Sequence, residues 1–179
     1  MSKNIIATAL ALSFTALPAL AANTDSLYDQ FSKKGSVPFS VAITENKSSL
    51  NPDQLKELQQ NLVDQLTNRR SITFVSSAPQ AADVNIDIVV NEYYWTEEDP
   101  IDMITSVPLA IYDAATNEHY TRIMAQFSVV DARSKNVLWK DIVKSTVSDA
   151  TMTEEEGFDQ AIDELASNFI SKAFKKSKK

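Results

Sequence analysis

The chain has 179 residues, no cysteine, two glycines, one histidine and a formal charge of −7. The acid excess argues against a nucleic-acid partner, which needs a basic face to displace counterions. Gly35 and Gly157 stand far apart, so there is no glycine-rich phosphate loop and no dinucleotide fingerprint. Without cysteine, any secreted domain in this chain must hold together by its core alone.

The N-terminus reads as a targeting segment. A short start containing Lys3 precedes an apolar run from Ile5 to Leu17, the length of a signal h-region. Pro18 ends the run, and Ala19-Leu20-Ala21 supplies the small residues of a cleavage site. Residues 1–21 are therefore expected to be a cleaved signal peptide, with Ala22 as an alternative end point and an uncleaved membrane anchor as the competing reading. Residues 22–179 then form a single periplasmic domain, with a core over 36–175, an insertion at 96–118 and a basic tail at 176–179. Because no cysteine is available for lipid attachment, the expectation is a periplasmic protein that is not a lipoprotein.

In chain order, Thr24–Phe31 has the pattern of a short amphipathic helix. Val37–Thr44 alternates as a strand, with Pro38 suited to a strand start or an edge. Asn51, Pro52 and Gln54 make a complete helix start, and Leu55, Leu58, Leu62 and Leu66 form one apolar stripe up to Asn68-Arg69-Arg70. Ile72–Ser76 predicts a short strand. Asp83–Trp95 predicts a long one, with Val84, Ile86, Ile88 and Val90 on one face. After the acidic turn Thr96–Pro100, the segment Ile101–Tyr112 fits neither helix nor strand. Tyr120–Val130 and Val137–Val147 predict a hairpin around the polar turn 131–136; in its second strand Leu138 and Ile142 share a register with Lys140 and Lys144, which suggests a bulge or a strand with two faces partly covered. Thr153 and Glu156 form a capping box, followed by the stripe Phe158, Ile162, Leu165, Phe169 and Ala173. This order predicts an α+β fold: a mostly antiparallel sheet of four to five strands with two main helices packed on one face.

Candidate chemistry is sparse. His119 has no second nitrogen or sulfur ligand with which to hold zinc, and no nucleophile elbow accompanies it. No cofactor is expected. Glu97, Glu98, Asp99 and Asp102 cluster, which suits solvated turn residues, a weak Ca²⁺ site or paired carboxylates of a small hydrolase. Tyr93, Tyr94 and Trp95, with Ile101, Met103, Ile104, Leu109 and Tyr112, are either core or an exposed aromatic patch for a partner. A pocket for a small apolar ligand beneath 101–112 is a further alternative. The lysines between 172 and 179 suit a helix C-terminus or contact with an anionic membrane surface.

The stretches PFSVAITEN, NPDQLKELQQNLVDQLTNRR, SITFVSS, AADVNIDIVVNEYYW and FSVVDARSKNVLWK together resemble a group of bacterial envelope domains. The group comprises the TolB N-terminal domain, the periplasmic core of the curli-secretion pore protein, and penicillin-binding-protein activators. The resemblance spans Val37 to Lys175, with Asn136 where glycine is usual and able to take a left-handed conformation. The lipid-attachment cysteine is missing, and segment 101–112 has no counterpart. The resemblance implies a non-enzymatic protein that binds other envelope components, with oligomerisation open.

Overall fold

The structure, a computed structural model, describes residues 26–96 and 119–176. Its two long helices start where their caps dictate. At α2 (Pro52–Thr67), Asn51 Oδ1 accepts from the Asp53 and Gln54 amides, and Gln54 Oε1 accepts from the Asn51 amide at 3.0 Å. At α3 (Glu154–Ala173), Thr153 and Glu156 exchange the same reciprocal bonds. Both capping boxes satisfy amide groups that a helix start leaves without internal partners. A one-turn helix, α1 (Leu27–Phe31), precedes them and is capped by Ser26.

The strands are β1 (Val37–Asn46), β2 (Phe74–Ser76), β3 (Val84–Thr96), β4 (His119–Asp131) and β5 (Val137–Asp149). They form one sheet in the order β2-β1-β3-β4-β5. The α+β class and the strand count match expectation, but the sheet is mixed: β1 pairs in parallel with both β2 and β3, while β3–β4 and β4–β5 are antiparallel. The cause is α2. A helix returning from the end of β1 delivers β2 to the start of β1, which forces parallel pairing. β1 is therefore interior. Pro38 is tolerated there because its carbonyl, and so the side its missing N–H would face, points at Asp83, just before β3 begins.

Burial alternates along β3 and β4, as expected of a sheet covered on one face. Val84, Ile86, Ile88, Val90, Ile123, Ala125, Phe127 and Val129 are buried beneath α2 and α3, which contribute Leu58, Leu62, Leu66, Phe158, Ile162, Leu165 and Phe169. Each fully buried side chain of this size is worth ~1.5–3 kcal/mol. Phe169 lies at the centre, stacked on Phe127 at 4.5 Å with its edge or face toward Trp139 and Phe174. Arg69, just past α2, donates to the Phe174 and Ile170 carbonyls at 3.0 and 3.3 Å and closes the C-terminal end of α3. In the β4–β5 turn the left-handed residue is Lys135, at φ 60, rather than Asn136. Asp131 holds that turn by accepting from the Arg133 and Ser134 amides.

Candidate functional site

The second half of β3 changes face. Val90 pairs with Ala125 but Glu92 pairs with Met124, so Asn91 is an extra residue on β3. This bulge shifts the side-chain alternation by one. Before it the even-numbered residues point to the helices; after it Tyr93 and Trp95 do.

Tyr93 packs edge-on against Phe158, with ring centroids 5.9 Å apart, and donates its hydroxyl to Glu154 at 3.1 Å. Burial first, and then the Glu154 carboxylate, push the Tyr93 pKa above the ordinary phenol value. Trp95 meets the His119 ring at 5.4 Å and lies beside Gly157 at the start of α3. Tyr94 sits on the other face, turned away from the helices, opposite Arg122. Ile101, Met103, Ile104, Leu109 and Tyr112, the 97–102 carboxylates, and the space proposed beneath 101–112 all lie outside the described residues. Of the eight patch residues, the structure thus places three, and the pleat divides them between two faces.

Among the described residues, the corner around His119 assembles no nucleophile. Thr121 is the nearest hydroxyl of β4 on the helix side, but it is fully buried under Gly157 and Trp95, so no substrate reaches it. Asp149, opposite His119, is engaged by the Thr151 amide and hydroxyl, which hold its carboxyl below the usual range. Thr121 Oγ1, Ser145 Oγ and His119 Nδ1 are buried without hydrogen-bond partners among the described residues. No group of acidic or histidine side chains among the described residues could hold a metal ion. No helix among them is long and apolar enough to cross a membrane. A shallow recess of about 360 Å³ lies between the end of β1 and the start of α2, lined by Ile43, Glu45, Leu55, Lys56 and Gln59.

The larger feature is the sheet face turned away from the helices. Among the described residues nothing packs over it. It carries Asp87, Val89, Glu92 and Tyr94 from β3, Arg122, Met124 and Gln126 from β4, and Lys140, Ile142 and Lys144 from β5. Both Arg122 Nε, at 2.7 Å, and Arg122 Nη2 donate to one oxygen of Glu92, which ties β3 to β4 across this face. Ile142 is 51% exposed, the most exposed large apolar side chain described. The outer backbone edge of β5 is not free, however. The Ile142 and Lys144 carbonyls accept from Lys172 and Asn168, and the Thr146 amide donates to Glu164. These three α3 side chains are spaced by four residues, so one row of the helix closes the edge of one strand. Sequence periodicity hid this face, because the alternation in β5 is interrupted at Leu138, where the register with β4 shifts.

No protein-family model matches the chain, and no curated protein matches it. Solved structures do share its fold. The PelC dodecamer from Paraburkholderia phytofirmans matches with a TM-score of 0.50 at 13% identity, covering 76% of this chain and 87% of that one. A hypothetical protein from Chlamydia trachomatis gives 0.51 at 10% identity, with 76% and 95% covered. A DUF330 protein from Xanthomonas campestris gives 0.51 at 10% identity, with 75% and 82% covered. These neighbours overturn the resemblance to TolB N-terminal, curli-pore and penicillin-binding-protein-activator domains. That resemblance rested on the order of elements and on short strand motifs, which any fold with a similar succession of strands and helices produces.

Proposed function

We propose that this protein is a non-enzymatic component of the bacterial envelope that works by binding other proteins, including copies of itself. The observation that carries this reading is the uncovered sheet face with its exposed Ile142. A sheet face over which no described residue packs, presenting apolar side chains among charges, fits a partner surface. The signal-like segment 1–21 supports export to the periplasm, and absence of a lipid-attachment cysteine supports a soluble form. The dodecameric state named for PelC makes self-assembly the first association to examine.

Crosslinking in intact cells followed by capture of the full chain tests the binding role. A defined envelope partner or a ladder of self-crosslinked species is expected; recovery of the chain alone, as a monomer, overturns it. N-terminal sequencing of the captured protein should begin at Ala22, and an intact Met1 would overturn the cleaved-signal reading.

A further inference from the structure

We propose that a second copy of this chain docks head to tail, with Lys140, Ile142 and Lys144 of one protomer set against the acidic seam of Glu57, Glu155 and Asp159 on the next. The inference rests on the self-assembly reading above and names its interface.

The β5 strip is the first half. Lys140, Ile142 and Lys144 project from the same uncovered face, opposite Ser128, Gln126 and Met124 of β4. Neither lysine forms an ion pair among the described residues. The strip therefore offers an apolar centre flanked by two cations without an ion-pair partner among the described residues.

The seam is the second half. One turn before the Asn61–Asp163 side-chain bond that joins α2 to α3 at 2.6 Å, exposed Glu57 of α2 faces exposed Asp159 and Glu155 of α3, and none of the three has a cationic partner among the described residues. Burial, then Asp159 and Glu155, hold the Glu57 carboxyl above the usual carboxylate range. The fold itself thus crowds like charges along the helix pair. Helix-start placement accounts for Glu155 but not for Glu57 or Asp159, which lie beyond the first turn.

Geometry selects the mode of docking. The strip lies on the open sheet face and the seam on the outside of the helix layer, so one molecule cannot join its own two halves. Strand addition at β5 is blocked, because Glu164, Asn168 and Lys172 occupy its outer backbone groups. A symmetric antiparallel pairing of two β5 strands centred on Ile142 would in any case set Lys140 opposite Lys144. Charge complementarity between the strip and the seam selects face-on-helix contact between unlike surfaces, which repeats from copy to copy and closes only as a ring.

Sedimentation velocity on the full chain tests this, comparing wild type, K140E/K144E, E155K/D159K and a 1:1 mixture of the two variants. Wild type should associate, and each variant should associate about tenfold more weakly or worse. The mixture should recover association, because the reversed strip of one variant fits the reversed seam of the other and the native pair also remains. Wild-type association that neither reversal weakens, or a mixture that fails to recover, overturns this interface while leaving self-assembly standing. A wild type that stays monomeric overturns both. Should a reversed variant fail to fold, I142S reads the same strip at an exposed position, and unchanged association there would count against the proposal.

Discussion

Asn168 on α3 donates its side-chain amide to the backbone carbonyl of Lys144 on β5, 3.1 Å away. With Glu164 and Lys172 one turn to either side, it turns the sheet's long outer edge from an open template into a satisfied one. An exposed edge strand is an aggregation hazard unless something occupies its backbone groups. In E164A/N168A/K172A, light scattering on warming should rise well above wild type, while helix and strand content measured by circular dichroism stay the same. The stability loss should stay near ~1 kcal/mol, because these are solvent-exposed bonds. A variant that scatters no more than wild type would show that the latch does not guard the edge.

Gly157 occupies a helix position where alanine would ordinarily be preferred by about 1 kcal/mol. Here a Cβ would run into Thr121 Oγ1 and come within 2.9 Å of the Trp95 ring. G157A should therefore destabilise the fold by ~1–3 kcal/mol, the usual range for overpacking. T121A removes the obstructing hydroxyl, which has no hydrogen-bond partner among the described residues. Urea denaturation of G157A/T121A should show a smaller loss than G157A alone. A gain in stability from G157A would mean that helix propensity outweighs the close approach.

Two carboxylates should respond to acid in opposite senses. The Ser134 amide and hydroxyl, aided by the Arg133 amide, hold Asp131 below its ordinary value of 3.8. Its contribution is thus complete above 3.8 and is lost as pH falls through the lower folded value. D131N should cost stability at neutral pH and progressively less in acid. Glu57 is displaced the other way, above 4.5. Its charged form burdens the fold at neutral pH and ceases to do so below 4.5. E57Q should raise stability at neutral pH, at concentrations low enough to keep copies apart, and change nothing in acid. Chemical denaturation across this range checks both, and a gain from E57Q that persists in acid would rule out charge as its cause.

Deleting Asn91 should be more damaging than substituting it. The bulge is what sends Tyr93 and Trp95 inward, and removing one residue would turn both onto the uncovered face. N91A should stay within about 1 kcal/mol of wild type. The deletion should expose Trp95, seen as red-shifted tryptophan emission and faster quenching by iodide. An unchanged spectrum would mean that the strand absorbs the deletion elsewhere.

The two capping boxes and both helical stripes were legible because capping and 3.6-residue periodicity are local signals. The period-2 pattern of Val84–Val90 was legible for the same reason. Strand direction was not local. Nothing in Val37–Asn46 records that both neighbours run parallel to it; only the path through α2 does. Tyr93, Tyr94 and Trp95 are neighbours in sequence, but the pleat separates Tyr94 from the other two, and the one-residue shift at Asn91 decides which of them face the helices. Lys140 and Lys144 interrupt the apolar pattern of the strand, and only the pairing with Ser128 and Met124 of β4 places both on the face turned away from the helices. Glu57 and Asp159 are far apart in sequence and meet only through the packing of α2 on α3.

The parallel pairing of β1 with β3 brings together residues as distant in sequence as Ser40 and Asn85, whose side chains bond at 2.8 Å. The β4–β5 turn, by contrast, closes between Val130 and Val137. Loop-closure entropy therefore favours an early hairpin and a late sheet centre during refolding. Destabilising substitutions such as V41A or I86A in the β1–β3 ladder should mainly accelerate unfolding, whereas A125G in the β4–β5 pairing should slow folding. Stopped-flow chevrons would separate the two, and an unchanged folding rate in A125G would place the nucleus outside the hairpin.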